Sequence, residues 1–98
     1  MPYSTPSIPP RADLRIGDRE HPAVPVHLAG HEASVVVRPS PRAEDQGRLR
    51  LAWEDGRETE LDVVIRRVGG VGPVAEMEVR GVSGDWRPFL AYLGHAEN

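Results

Sequence analysis

Residues 48–68 read RLRLAWEDGRETELDVVIRRV, and this stretch decides the fold of the chain. Apolar side chains alternate with arginine or alanine in its first half, and mainly with charged side chains in its second half. A period of two gives each strand one apolar and one charged face, as half-buried antiparallel strands require. Asp55-Gly56 lies between the halves and supplies the positive-φ residue of a tight turn. The stretch therefore predicts a β-hairpin.

Three other segments are predicted to be strands, at residues 23–29, 32–38 and 74–80. In the first of them, Val24, Val26 and Leu28 are expected to share one face. Because Pro25 has no N–H to donate, this strand should lie at a sheet edge or begin there. Together with the hairpin, these segments give at least five strands at hairpin-like spacing. That spacing predicts an all-β, antiparallel sheet that is closed or nearly closed into a barrel.

The final segment has a helical period. Four apolar residues fall at i, i+3, i+4 and i+7, namely Trp86, Phe89, Leu90 and Leu93. This spacing predicts a short helix that packs on the sheet through all four side chains. Asp85 is placed to cap the first free N–H groups, and Gly94 is placed to end the helix.

Composition limits the class of protein. The 98 residues correspond to a single domain, with residues 1–10 as a flexible, proline-rich tail and residues 11–98 as the folded part. No apolar run approaches the roughly 20 residues of a membrane span, and the N-terminal sequence lacks the apolar segment of a signal peptide. We therefore expect no membrane insertion and a cytoplasmic location. The absence of cysteine excludes disulfides and thiolate chemistry.

Candidate catalytic and metal-binding groups do not form a recognisable motif. The spacing of His21, His27 and His31 matches no zinc signature. Acidic residues on the predicted strands face arginines, which favours a salt-bridged outer surface over paired catalytic carboxylates. The glycines at residues 69–72 precede a strand, so they lack the helix N-terminus that holds a phosphate. The sequence predicts no catalytic residues, no metal and no resident cofactor.

Arg11 and Arg15 are the strongest candidates for binding a ligand. The planar guanidinium group grips phosphate through two N–H donors and stacks on purine rings. This Arg-x-x-x-Arg pair, together with GRLRLAWEDGRETELDVVIRRV and VAEMEVRGVSGDWRPFLAYLG, resembles a PilZ domain over residues 11–94. PilZ domains are six-stranded antiparallel barrels, and many bind cyclic di-GMP in bacterial signalling. The resemblance implies that Arg11 and Arg15 contact the phosphates and guanine of that ligand.

The second PilZ motif, Asp/Asn-x-Ser-x-x-Gly, is present only in part. One placement puts Glu32 and Ser34 over its first half and Val37 at the position of its glycine. Another placement uses Gly30, with Pro25 and His27 in place of the acid and the serine. A valine prevents the close backbone approach that glycine permits. The resemblance therefore implies a six-stranded PilZ-like barrel with a short C-terminal helix, whose ligand-binding residues would be Arg11, Arg15, Glu32 and Ser34.

The expected function is a non-enzymatic bacterial regulatory domain that acts mainly through a protein partner, with weak or absent binding of cyclic di-GMP. The first alternative is a functional cyclic di-GMP receptor that uses Arg11 and Arg15. A second alternative is a small barrel that binds single-stranded nucleic acid by stacking bases on aromatic side chains. The net charge of −3, the low aromatic content and the predicted packing of Trp86 and Phe89 argue against a nucleic-acid partner.

Overall fold

A computed structural model describes residues 10–69 and 74–97. In chain order its elements are β1 (Arg11–Ile16), β2 (Arg19–Leu28), β3 (Glu32–Val37), β4 (Gln46–Ala52), β5 (Glu58–Gly69), β6 (Val74–Gly84) and α1 (Arg87–Glu97). The strands form a closed antiparallel barrel in the order β1-β2-β3-β6-β5-β4, and β1 pairs with β4 to complete it. The predicted all-β barrel of six strands with one C-terminal helix is confirmed.

The central hairpin has the predicted alternation. Leu49 of β4 lies opposite Leu61 of β5, and both side chains are fully buried in the barrel. The adjacent outward pair is Arg48 and Asp62, whose Nε and Oδ1 atoms are 3.1 Å apart. Gly56 has a φ of 90° in the connecting turn, as the Asp-Gly sequence predicts. Local pattern and turn chemistry thus determine this half of the barrel.

The first strands of the barrel begin earlier in the chain than the sequence predicts. β1 starts at Arg11, where the sequence pattern predicts no strand, and Pro10 before it is already buried. β2 starts at Arg19, after a turn in which Gly17 has a φ of 63°, rather than at residue 23. Of the predicted flexible tail at residues 1–10, residues 1–9 lie outside the described part of the chain.

Closure of the barrel depends on a glycine. Gly47 lies on β4 where β4 passes β1, and a Cβ atom added to it would stand 2.5 Å from the carbonyl oxygen of Arg15. Because the main chains approach so closely, a side chain at this position would force the two strands apart. Glycine therefore permits the β1–β4 pairing that makes the sheet a barrel.

Pro25 lies inside a strand, contrary to the prediction that it marks an edge or a strand start. The β2–β3 register shifts between Pro25 and His27, so Val26 is an extra residue without a partner on β3. Such a bulge is one of the few sites that accept proline within a sheet. It also changes the phase of the strand, because Val24 and Val26 are 64% and 61% exposed whereas Leu28 is buried. The predicted shared face of these three residues is wrong.

Helix α1 packs on the barrel through a face that differs from the predicted one. Phe89 is only 1% exposed, and Tyr92 and Leu93 pack against the core. The rings of Tyr92 and Trp53 have centroids 5.6 Å apart and are tilted by 51°. Trp86 and Leu90 are 53% and 54% exposed, so their predicted burial is wrong. Trp86 precedes the first helical turn, and Leu90 points away because successive helical residues are rotated by about 100°.

The start of α1 is fixed to β5 by a chain of hydrogen bonds. Trp53 Nε1 donates to Thr59 Oγ1 at 2.9 Å, and Thr59 Oγ1 donates to the Asp85 carbonyl at 2.5 Å. The Asp85 carboxylate accepts the Arg87 N–H at 3.2 Å, which confirms its predicted capping role. The helix does not end at Gly94 as predicted and continues to Glu97. Within the described residues, no helix has the length and apolarity needed to cross a bilayer.

Candidate functional site

Ion pairs cover much of the outer surface of the barrel, as the alternating pattern predicts. Arg66 connects two elements, because its Nε donates to Glu78 at 3.1 Å and its Nη1 donates to Glu44 at 3.1 Å. The hydrogen bond to Glu78 raises the pKa of Arg66, and the same contact lowers the pKa of Glu78. Both groups therefore remain charged at neutral pH and are already engaged with each other.

A groove of about 500 Å³ opens on the outer face around the pairing of β3 with β6; we call it the β3–β6 groove. Glu32 and Ser34 line one side, and they lie opposite Glu78 and Glu76 in the strand register. His27 adds an imidazole, with its Nε2 atom 3.7 Å from Glu32 Oε1. The structure thus brings together two of the four residues expected to bind a ligand.

The charge of this groove is unfavourable for a phosphate group. Its lining contains three carboxylates, from Glu32, Glu76 and Glu78, but only two guanidinium groups, from Arg66 and Arg67. Arg66 is bonded to Glu78, and Arg67 Nε lies 3.7 Å from Glu76 Oε2. An anionic ligand would have to displace these carboxylates before it could contact either arginine.

The predicted arginine pair lies elsewhere on the barrel. Arg11 and Arg15 are exposed on β1, opposite Ala52 and Arg48 of β4, and β2 separates β1 from β3. Two residues four apart on a strand share a face but are separated by about 13 Å. Arg11 and Arg15 are therefore too far apart along β1 to grip one phosphate group together.

The distance to the β3–β6 groove follows from the register. Arg15 pairs with Glu20 of β2, whereas Ser34 pairs with His27 near the other end of the same strand. The intervening part of β2 covers roughly 20 Å at about 3.3 Å per residue. Arg15 lines a different pocket, of about 280 Å³, with Arg48. The structure therefore separates Arg15 from Glu32 and Ser34, and the ligand-binding role of the four residues stays a prediction.

The histidines are divided between two regions. His27 and His31 border the β3–β6 groove, whereas His21 lies in a pocket at the opposite end of β2. In residues 10–69 and 74–97, no group of three or more His, Cys, Asp or Glu side chains is arranged to hold a metal ion. The sequence proximity of the three histidines does not produce a common site.

Trp86 and Leu90 are surface residues that sequence reasoning placed in the core. They lie four residues apart at the start of α1, and the Leu90 N–H donates to the Trp86 carbonyl at 3.1 Å. The sequence feature that could have identified the buried face of the helix is Tyr92, which forms a second apolar stripe with Phe89 and Leu93. Both stripes contain Leu93, so periodicity alone does not decide which of them faces the barrel.

No protein-family model, no curated protein and no solved structure matches this chain. The resemblance to PilZ domains stays a prediction from its motifs.

Proposed function

We propose that this chain is a non-enzymatic regulatory domain of PilZ-like type that acts through a partner protein and binds cyclic di-GMP weakly or not at all. The exposure of Trp86 and Leu90, 53% and 54%, carries this proposal. Trp86 immediately precedes α1 and Leu90 lies in its first turn, so the two side chains form an exposed apolar pair at the start of the helix. Helices commonly insert such apolar side chains into a groove of another protein. Tryptophan is also among the residues that contribute most binding energy at protein interfaces.

The supporting structure makes this helix face rigid before any partner binds. Phe89 anchors α1 in the core, and the Thr59–Asp85 hydrogen bond holds the start of the helix. A surface that is already ordered loses less conformational entropy on association. Burying the exposed halves of Trp86 and Leu90 would contribute about 0.8–1.6 kcal/mol each, since full burial of a large apolar side chain contributes about 1.5–3 kcal/mol. The pair therefore forms an energetic centre for a modest interface.

Two features support weak binding of cyclic di-GMP. The β3–β6 groove offers carboxylates beside Ser34, and its arginines are engaged with those carboxylates. Arg15 of β1 pairs with Glu20 near the start of β2, whereas the groove lies beside His27 near the end of β2. A ligand with two phosphates would therefore meet the predicted residues in separate places rather than in one pocket.

Calorimetric titration of the whole chain with cyclic di-GMP tests this part of the proposal. We expect no binding tighter than about 1 mM, because the predicted contacts do not converge on one ligand. Arg11→Ala and Arg15→Ala should give the same heats as the unmodified chain. Micromolar binding that both substitutions abolish would establish the receptor alternative and contradict the proposal.

Site-specific photocrosslinking in the cells that express the chain tests the partner-binding face. A benzophenone side chain at position 86 or 90 should crosslink to one discrete partner, because both positions lie on the exposed start of α1. Position 24 is the matched control, since Val24 is 64% exposed and apolar but lies on β2. Equal labelling from position 24, or no crosslink from positions 86 and 90, would contradict the proposal.

The exposure of Trp86 also favours a test of the nucleic-acid alternative, because an accessible indole can stack on a base. The net charge of −3 opposes a polyanion, so we expect no saturable binding of a single-stranded oligonucleotide. The fluorescence anisotropy of a labelled oligonucleotide, measured at two salt concentrations, tests for this binding. Binding that weakens steeply with salt and is lost in Trp86→Ala would support the alternative.

A further inference from the structure

The two ends of the barrel are covered by different segments of the chain. Helix α1 covers the end at which β4 and β6 finish, whereas the opposite end lies under the β3–β4 loop of residues 38–45. Residues directly opposite each other on antiparallel strands face the same side of the sheet. Leu14 is fully buried and lies opposite His21, and Ile16 lies opposite Arg19. His21 and Arg19 therefore belong to the inner face of β2 at this second end.

A cavity of about 250 Å³ occupies this position; we call it the mouth pocket. Ile16 gives it an apolar floor above the fully buried Leu14, and Arg19 and His21 stand on one wall. The β3–β4 loop covers it with the prolines at 39 and 41 and with Arg42. Barrel mouths are frequent ligand sites when an apolar lining surrounds a few polar groups.

The loop above the pocket is attached to the barrel at its far end. Glu44 N–H donates to the Ile65 carbonyl at 2.7 Å, and Ile65 N–H donates to the Asp45 carbonyl at 2.8 Å. The Asp45 carboxylate, the only acidic side chain among the described residues that line the pocket, accepts the Arg42 N–H at 2.9 Å. The Asp45 carboxylate therefore forms a hydrogen bond within the loop, and the bonds to Ile65 hold the loop over the pocket.

The arginines of the mouth pocket differ from most arginines of this chain. Seven arginines lie within 4.0 Å of a carboxylate: Arg48, Arg50, Arg57, Arg66, Arg67, Arg80 and Arg87. Among the described residues, neither Arg19 nor Arg42 makes such a pair or donates a side-chain hydrogen bond. The pocket thus combines two available guanidinium groups with an imidazole.

We propose that the mouth pocket binds a compact phosphate monoester that carries an apolar ring. Its phosphate would contact Arg19, Arg42 and His21, and its ring would rest on Ile16. Two guanidinium groups and an imidazole suit a phosphate monoester, whose three terminal oxygens share up to two negative charges, better than a single carboxylate. The volume of about 250 Å³ lies just below the usual range of pockets for drug-sized ligands, so it suits a compact ligand better than a cyclic dinucleotide. The proposal does not depend on the partner-binding role of α1.

Titration followed by ¹H–¹⁵N correlation spectra tests the site with phenyl phosphate as the probe. Sodium chloride keeps the ionic strength constant, and inorganic phosphate serves as a second ligand without a ring. We expect saturable shifts of the amides at residues 19–21 and 42–45, with tighter binding of phenyl phosphate than of inorganic phosphate. Arg19→Gln and Arg42→Gln should each weaken binding about tenfold or more, because each removes charged hydrogen bonds.

Arg57→Gln is the matched control, because Arg57 lies in the β4–β5 turn at the helix end of the barrel. It should bind phenyl phosphate as the unmodified chain does. Three outcomes would overturn the proposal: no saturable shifts, shifts centred on Arg15 and Arg48, or equal weakening in all three variants. Equal affinity for phenyl phosphate and inorganic phosphate would likewise overturn it, since the apolar floor would then contribute nothing.

Discussion

Phe89→Ala is expected to lower the free energy of unfolding by about 3–5 kcal/mol, the usual cost of truncating a buried phenylalanine. Phe89 is the largest fully buried side chain of the described residues, and it belongs to the core that the strands enclose. Its removal would leave a cavity under α1 and weaken the contact between the helix and the barrel. Urea denaturation monitored by circular dichroism measures the loss as a lower transition midpoint.

Leu90→Ala provides the matched control for this experiment. Leu90 is the next residue of the same helix and is 54% exposed, so its truncation should change stability by less than about 1 kcal/mol. The two variants separate the inward face of α1 from its outward face. Equal destabilisation by both, or a larger effect of Leu90→Ala, would mean that the orientation of the helix is wrong.

Leu61→Ala is expected to cost about 2–5 kcal/mol, which is a large part of the stability of an ordinary small domain. Leu61 is fully buried on β5 opposite Leu49, where the two strands of the central hairpin contribute to one core. A cavity here affects both strands, because the neighbouring side chains cannot fill it without moving the sheet. Denaturation in urea measures the change directly.

Asp62→Ala is the control for Leu61→Ala. Asp62 is adjacent in sequence but exposed, and it contacts Arg48 in a surface ion pair. Such pairs contribute about 0–1 kcal/mol, so this variant should unfold near the midpoint of the unmodified chain. If Asp62→Ala were as destabilising as Leu61→Ala, the alternation that defines the hairpin would be contradicted.

The hairpin was predictable because its information is local. The period of two in residues 48–68 and the Asp55-Gly56 turn lie within one short segment. Strand β1 was harder to identify, because Ala12 is small and proline-rich sequence precedes it. Its strand conformation depends on pairing with β4, where Gly47 allows the close approach. A pairing between distant segments is hard to predict from the local sequence of either segment alone.

The inner face of α1 and the phase of β2 show a different limit. Two apolar stripes run along the helix, and only the packing of Phe89 and Tyr92 on the barrel selects between them. On β2, the bulge at Val26 exposes residues that a continuous alternation assigns to the core. In both cases the composition of the segment is compatible with two faces, and the tertiary contact decides.

The candidate site was predictable as a set of residue types but not as an arrangement. Sequence motifs indicate Arg11, Arg15, Glu32 and Ser34 without giving the strand register that separates Arg15 from Glu32 and Ser34. The order β1-β2-β3 and the pairing partners of Arg15 and Ser34 supply that information. The mouth pocket has no linear motif, because Arg19 and Arg42 line the same pocket only when the β3–β4 loop folds over β2.

Pairing of β1 with β4 is the contact on which the closed barrel and the placement of Arg11 and Arg15 both depend. Nuclear Overhauser spectra of the labelled chain measure it directly. We predict backbone cross-peaks between Asp13 and Arg50 and between Leu14 and Leu49, the register pairs of this seam. Cross-peaks from β1 to β2 alone, or a disordered spectrum for residues 11–16, would contradict the closed barrel and the separation of Arg15 from Ser34.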